Sequence, residues 1–197
     1  MSQGQLSVAV LAGGLSTRMG SDKASLALDG GQSLVDRVCE RLAIVSDDVF
    51  VVSKQPREVR ARLVLDEIED QTPLAGIITA LKAAKHPYVF VCGCDMPFIS
   101  YELVMKLMDR AEDYDVAVPT FDDRIQSLHG VWATSCLPKL EAQWTAGDRG
   151  VFQAMQRLDA YIVNAHDAGV SFTNINTPED LDLLRATPTA PTASTTS

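Results

Sequence analysis

Short apolar runs alternate with amphipathic segments along this 197-residue chain, and that alternation limits its possible folds more than any other feature. The clearest runs, which we interpret as strands, are Leu6–Leu11, Val49–Val52, Tyr88–Val91, Val116–Pro119 and Leu128–Trp132. Such runs are typical of βαβ units, in which helices cover both faces of the sheet. The pattern predicts an α/β fold with a mostly parallel central sheet flanked by helices.

The segments between these strands carry apolar residues at helical spacing. Three stripes are present: Leu34, Val38 and Leu42; Leu74, Ile77, Ile78 and Leu81; and Leu103, Val104, Leu107, Met108 and Ala111. Pro97 and Ser100 open the third predicted helix. Thr177–Asp180 has the cap, the proline and the acids of a fourth helix start.

The composition indicates one folded domain followed by a tail. With 46% hydrophobic residues, the chain can bury one sizeable core. After Arg185 the sequence changes to Thr, Pro, Ala and Ser, which cannot bury enough apolar surface to become ordered. We therefore expect a domain over residues 1–185 and a disordered tail over residues 186–197.

Charge and hydropathy exclude two classes of partner. A net charge of −9 argues against the basic face that binding of a nucleic-acid backbone requires. No stretch approaches the roughly 20 apolar residues of a membrane span, and the amino terminus lacks a secretory signal. The chain is therefore expected to be soluble and cytoplasmic, without nucleic-acid or membrane partners.

The cysteines and histidines offer no obvious metal site. The four cysteines are Cys39, Cys92, Cys94 and Cys136, and we expect them to be reduced thiols. Cys92 and Cys94 could share one face of a strand and suit a metal, but no second Cys or His pair is close enough to complete a tetrahedral set. We interpret them as buried strand cysteines. His86, His129 and His166 are scattered without evident partners and are assigned no chemistry.

The strand Leu6–Leu11 runs into a loop, residues 12–23, with the sequence AGGLSTRMGSDK. Glycines let the backbone approach a polyphosphate, while Arg18 and Lys23 can neutralise the charge on a departing pyrophosphate. The glycine spacing fits neither a P-loop nor the G-x-G-x-x-G dinucleotide fingerprint. Glycines alone would indicate a flexible turn, but together with the two cations they indicate phosphate chemistry.

This loop resembles the signature of sugar-nucleotide-type nucleotidyltransferases, and its double glycine and Asp-Lys ending are most similar to the molybdenum cofactor guanylyltransferases. Three later spans are also similar to that family, in the family's order: Asp70–Ile77, Phe90–Ile99 and Phe172–Leu181. In the first of them Thr72 stands where glycine is usual. The resemblance implies a single-domain, Rossmann-like nucleotidyltransferase fold.

The resemblance also implies a nucleotide site over the end of the first strand. Leu11, Ala12 and Gly13 would contact the guanine and ribose through their backbone, and Lys23 would reach the phosphates. Asp66 would contact guanine, because a carboxylate can accept from both N1–H and the exocyclic amine. The alternative for Asp66 is a solvated acid in an acidic loop.

Catalysis is assigned, by the same resemblance, to Arg18, Lys23 and Asp95. Asp95 follows a predicted central strand, at the edge where α/β proteins bind ligands, and would hold Mg²⁺ against the α-phosphate. The alternative is that Asp95 caps the helix after Pro97.

One position departs from the family, which often has an asparagine at the end of the second strand as a nucleotide contact. This chain reads Ser53-Lys54 there, and the hydroxyl of Ser53 could substitute. Base specificity is therefore less firmly implied than the reaction class.

Three residues are assigned to the acceptor. Asn174 and Asn176 alternate on an extended stretch and would face the same way, towards the acceptor or as organisers of the turn into the next helix. Arg149 lies in a stretch similar to the family's G-[ED]-R and would meet the acceptor's phosphate or form a surface salt bridge.

Taken together, the resemblance implies an Mg²⁺-dependent enzyme that transfers GMP from GTP to the terminal phosphate of molybdopterin. Molybdenum-insertion proteins and molybdoenzyme chaperones are its implied protein partners. The alternatives are a cytidylyltransferase acting on molybdopterin or on a sugar or polyol phosphate, and a non-catalytic nucleotide-binding module. Gly13-Gly14 favours guanylyl transfer, since cytidylyl relatives tend to read Ala-Ala-Gly. Lys23 together with Asp95 favours an enzyme, since a sensor needs no metal at the α-phosphate.

Overall fold

The structure, a computed structural model, describes residues 5–13, 32–175 and 180. Within these ranges the strands are β1 (Leu6–Leu11), β2 (Asp48–Ser53), β3 (Arg62–Leu65), β4 (Tyr88–Gly93), β5 (Val116–Phe121), β6 (Arg124–Ile125), β7 (His129–Ala133) and β8 (Ala160–Asn164). The helices are α1 (Leu34–Leu42), α2 (Pro73–Ala83), α3 (Tyr101–Ala111), α4 (Leu137–Thr145) and α5 (Val151–Arg157). Two short 3₁₀ segments are Thr134–Cys136 and His166–Phe172.

The described strands form one eight-stranded sheet, in the order β3-β2-β1-β4-β7-β5-β6 with β8 paired to β5. Strands β3, β2, β1 and β4 are mutually parallel, whereas β7 runs antiparallel to both of its neighbours. The β5–β8 pair is parallel, and β5–β6 is antiparallel. The predicted α/β fold is confirmed, with a parallel core that becomes mixed beyond β4.

Alternation along β1 divides the core into two layers. Val8 and Val10 belong to a buried cluster that includes residues of α1 and α3, whereas Ala9 belongs to a cluster built with α2, α4 and α5. Burying a large apolar side chain contributes about 1.5–3 kcal/mol, so helices are held on both faces of the sheet. The carboxyl edge of the parallel strands lies between these helical layers.

All five predicted strands and the first three predicted helices are present, with ends shifted by up to a few residues. The apolar patterns did not reveal β3, β6, β8, α4 or α5. In β8 only Val163 is buried, so this strand lacks the continuous apolar run that marks the central strands. The predicted helix start at Thr177 and the predicted tail over residues 186–197 lie outside the described residues.

None of the helices in the described ranges is long and apolar enough to cross a membrane.

Asp48, the first residue of β2, ties the amino ends of three strands together. Its buried carboxylate accepts hydrogen bonds from Ser7 Oγ at 2.7 Å, the Lys85 amide at 3.0 Å and Arg62 Nη2 at 2.9 Å. Burial opposes its ionisation, but these hydrogen bonds and the Arg62 charge outweigh burial and hold the pKa below its ordinary value. The group therefore stabilises the fold in its charged form.

We expect Asp48→Asn to lower the free energy of unfolding by about 2 kcal/mol at pH 7, because the network loses hydrogen bonds to a charged acceptor. Urea denaturation at pH 7 measures this change. Asp47→Asn is the matched control, since its side chain is 72% exposed, and it should change the free energy by less than about 0.5 kcal/mol. Equal stability of the Asp48 and Asp47 variants would show that the network contributes nothing net.

Candidate active site

The carboxyl ends of the parallel strands are joined by hydrogen bonds that continue past the strands themselves. The Ala12 amide donates to the Val52 carbonyl at 2.8 Å, and the Cys94 amide donates to the Leu11 carbonyl at 3.1 Å. The loops after β1, β2 and β4 therefore leave the sheet side by side. This edge, between the helical layers, is where open α/β sheets bind ligands.

Helix α2 begins against the end of β1. A Cβ on Gly76 would lie 3.1 Å from Leu11 Cδ1, so glycine allows the helix to approach the strand closely. Thr72 is the N-cap, and its hydroxyl accepts from the Ala75 amide at 3.4 Å. Its φ of −107° is ordinary for any residue, so the glycine usual in the family is not required at this position.

Asp95 lies half-buried in the turn after β4. Its Oδ1 atom would be only 2.5 Å from a Cβ on Gly93, so a side chain at 93 would displace the carboxylate. Its carbonyl accepts from the Ile175 amide at 2.8 Å, which fixes the turn from the other side. The cap alternative is wrong, because Ser100 is the N-cap of α3 and accepts from the Leu103 amide at 3.3 Å.

The donor set at Asp95 suits Mg²⁺ in a substrate complex. Mg²⁺ takes one or two protein carboxylates when phosphates and water complete its shell, and a single oxygen ligand at the ligand-binding edge fits that requirement. In the part of the chain that the structure describes, no three His, Cys, Asp or Glu side chains gather as a self-sufficient metal site.

Asp66 follows β3 and is engaged on both carboxylate oxygens. Oδ1 accepts from Thr79 Oγ1 at 2.8 Å and from the Ile68 amide at 3.2 Å, while Oδ2 lies 2.8 Å from Lys54 Nζ. The Asp66 side chain is 5% exposed. The alternative of a solvated acid is therefore wrong, and the contact with guanine stays a prediction.

Ser53, at the end of β2, uses its hydroxyl locally. The hydroxyl donates to the Gln55 carbonyl at 2.9 Å and accepts from Arg57 Nε at 2.9 Å, and the residue is 1% exposed. Lys54, the next residue, instead runs beside Gly13 and forms an ion pair with Asp66. The sequence analysis gave Lys54 no role, although its place directly after a strand end was a usable signal.

The residues assigned to the acceptor are placed at two points. Asn174 is exposed and directly precedes Ile175, which bonds to the Asp95 backbone, so the structure brings Asn174 to this edge. Arg149 donates to Asp70 Oδ2 at 2.8 Å and stacks on the Trp144 ring at 3.7 Å from its centroid. The structure thus contains the surface salt bridge, which keeps the guanidinium beside the loop before α2.

Several other sequence interpretations need correction. Cys92 is buried on β4, where burial raises the pKa of its thiol, but Cys94 is half-buried and lies past the strand end. His86 has a partner, since its Nε2 lies 2.6 Å from Asp47 Oδ1. His129 is fully buried between Phe90 and Phe172, at centroid distances of 5.2 and 5.0 Å.

Three predicted site residues, Arg18, Lys23 and Asn176, lie outside the described residues. Of the remainder, the structure brings six to the same edge of the sheet: Leu11, Ala12, Gly13, Asp66, Asp95 and Asn174.

Comparisons with known proteins identify the relatives of this chain. A family model for the MobA-like NTP transferase domain matches residues 8–162. The probable molybdenum cofactor guanylyltransferase of Natronomonas pharaonis is 34% identical, over 92% of this chain and 98% of that protein. The molybdenum cofactor guanylyltransferase of Pseudomonas fluorescens is 33% identical, over 88% of this chain and 90% of that protein.

A solved structure is also similar. That of molybdopterin-guanine dinucleotide biosynthesis protein A from Archaeoglobus fulgidus has a TM-score of 0.75 and 26% identity, and the match covers 90% of this chain and 95% of that one. The match to the family model spans most of the chain, and the two relatives match it over nearly its full length. This chain therefore belongs to the family of MobA-like NTP transferases.

Proposed function

We propose that this protein transfers GMP from GTP to the terminal phosphate of molybdopterin. The observation that carries the proposal is the convergence of the β1 end, Asp66 and Asp95 on one edge of the sheet, in a chain whose relatives are named molybdenum cofactor guanylyltransferases. A nucleotide over β1 would have a carboxylate on each side, one for the base and one for a cation at the phosphates.

In this reaction a terminal phosphate oxygen of molybdopterin attacks the α-phosphorus of GTP in line. The bond between the α-phosphorus and the bridging oxygen breaks, and pyrophosphate leaves with that oxygen. Lys23 and Arg18 neutralise the charge on the departing group, while Asp95 would hold Mg²⁺. When bound, the ion supplies charge stabilisation at the phosphates. Positioning and charge stabilisation supply most of the acceleration, because phosphoryl chemistry asks little covalent work of the protein.

The remaining assignments follow the same proposal. The backbone of Leu11, Ala12 and Gly13 contacts the guanosine, and Asn174 with Asn176 contacts the pterin or its phosphate. Arg149 meets the acceptor's phosphate by exchanging its bond to Asp70 for one to the substrate. We place the enzyme in the cytoplasm, with its folded domain over residues 1–185 and with molybdenum-insertion proteins and molybdoenzyme chaperones as its protein partners.

Incubation of the purified protein with molybdopterin, Mg²⁺ and each of the four NTPs in turn tests the proposal by the mass of the product. We expect a guanylyl product. In calorimetry, GTP should bind at least tenfold more tightly than ATP or CTP, a difference of about 1.4 kcal/mol in binding free energy. A cytidylyl product would favour the cytidylyltransferase alternative. Tight nucleotide binding with no product from any NTP would favour the binding module.

A further inference from the structure

Lys54 and Asp66 place a hydrogen-bond donor and an acceptor side by side at the ligand-binding edge. Lys54 Nζ lies 2.8 Å from Asp66 Oδ2. The stem of Lys54 passes the end of β1, since a Cβ on Gly13 would lie 3.8 Å from Lys54 Cγ. Lys54 therefore connects Asp66 with the backbone that the proposed function assigns to the guanosine.

Contacts among the described residues leave hydrogen-bonding capacity on both partners. An ammonium group carries three N–H bonds, and Lys54 donates one to Asp66 and one to the Ile68 carbonyl. Each carboxylate oxygen has two lone pairs, and Thr79 with the Ile68 amide occupies those of Oδ1. Among the described residues, one donor on Nζ and one acceptor on Oδ2 have no partner. Lys54 is the more accessible of the two side chains, at 20% exposure against 5%.

The hydrogen-bonding groups left on Lys54 and Asp66 determine how a base could bind. With Oδ1 occupied, the Asp66 carboxylate cannot accept from both N1–H and the exocyclic amine of guanine unless it releases Thr79 or Ile68. The pair instead offers a mixed edge, with a donor beside an acceptor. A mixed edge is complementary to two adjacent positions of a base that present an acceptor beside a donor.

We propose that Lys54 donates to O6 of guanine while Asp66 accepts from N1–H, so that the pair selects guanine over adenine and cytosine. This inference rests on the proposed function. In guanine the exocyclic atom accepts and the ring nitrogen donates, whereas in adenine and cytosine both roles are reversed. An adenine in the same orientation would set donor against donor and acceptor against acceptor, and such mismatches provide specificity by repulsion.

Stability alone is a poor explanation for this pair. Desolvation of the two charged groups costs free energy, and their attraction offsets this cost only in part. A largely buried ion pair therefore adds little net stability. Lys139 and Asp115 form another lysine–aspartate pair, at 2.6 Å, between α4 and the segment before β5. That pair serves as a control because it is assigned no contact with the nucleotide.

Calorimetric binding of ITP and ATP, with no acceptor present, tests the inference, because these two nucleotides differ only in the polarity of the 6-position edge. Wild-type protein should bind ITP at least tenfold more tightly than ATP, because two matched hydrogen bonds to the base can supply a difference of that size, about 1.4 kcal/mol. Lys54→Met keeps the apolar stem beside Gly13 but removes the donor, and it should bring the ratio to within about threefold. Lys54→Arg should retain more of the preference, and Lys139→Met should retain all of it.

Two results would overturn the inference: equal binding of ITP and ATP by the wild type, or an unchanged ratio of the two affinities in Lys54→Met. If the ratio is unchanged while both affinities fall together, Lys54 only maintains the shape of the site. Because the measurement needs no acceptor, it is independent of whether GMP is transferred to molybdopterin, and failure of either idea can be recognised separately.

Discussion

Asp95→Asn should lower the turnover of guanylyl transfer by about 100-fold or more, with little effect on folding. The substitution preserves the shape of the side chain and removes the negative charge that we assign to Mg²⁺. Since a magnesium ion bound to substrate phosphates takes only one or two protein carboxylates, one acid can dominate its placement. The fold should survive, because Asp95 is only half-buried and Ser100, not Asp95, caps α3.

Steady-state kinetics across a range of Mg²⁺ concentrations measure this effect, with thermal unfolding as the check on structure. Asp109→Asn, an exposed acid on α3, is the matched control and should keep normal turnover. Near-normal activity in Asp95→Asn with an unchanged Mg²⁺ dependence would mean that another group holds the metal, and the catalytic assignment of Asp95 would be wrong.

The free energy of unfolding should fall between pH 7 and pH 5, and His129→Leu should remove most of that fall. His129 is fully buried, and neither ring nitrogen has a hydrogen-bond partner among the described residues. Burial lowers its pKa from 6.5 to about 3, because the charged ring would lose its water without gaining a partner. The native state therefore holds this histidine neutral where the unfolded chain protonates it.

The direction of the effect follows from proton binding. Between pH 6.5 and about 3 the unfolded chain binds one more proton at His129 than the folded protein does, so the free energy of unfolding falls as the pH falls. The loss is about 2 kcal/mol between pH 7 and pH 5, and about 4 kcal/mol between pH 7 and pH 3. The pKa of Asp48 is lowered in the folded protein, so the stability that its charged form contributes is lost only as the pH falls below the ordinary pKa of an aspartate, near 3.8.

Urea denaturation at pH 7 and pH 5 measures the difference between the two conditions. In His129→Leu we expect that difference to shrink by about 2 kcal/mol, with stability at pH 7 equal to or above that of the wild type, since two unpartnered buried nitrogens are removed. His166→Leu changes an exposed histidine and should leave the pH dependence unchanged. A His129→Leu variant with the wild-type pH dependence would contradict the buried, neutral state.

Some features could be predicted because their signal is local. Apolar periodicity within single segments identified β1, β2, β4 and the helices α1 to α3, and cap residues such as Ser100 marked a helix start. The position of Asp95 a few residues after an apolar strand was enough to place it at the ligand-binding edge. Short motifs in family order indicated the MobA-like family before any contact was known.

Other features depend on which segments become neighbours, and periodicity within one segment contains no information about that. The order of the strands, the antiparallel entry of β7 and the pairing of β8 with β5 are set by packing across the whole sheet. For the same reason Lys54 could not be paired with Asp66, nor His129 recognised as fully buried, until the fold was known.

The sequence by itself therefore determined the fold class, the family and the residue types available for phosphate chemistry, because each of these can be recognised from short contiguous segments. Only the tertiary structure decided how those residues are used. In the folded protein, Thr79 donates a hydrogen bond to Oδ1 of Asp66, and Lys54 lies beside the other carboxylate oxygen. Hydrogen bonding and burial depend on distances between residues far apart in the chain, and these distances are set when the helices pack on the sheet.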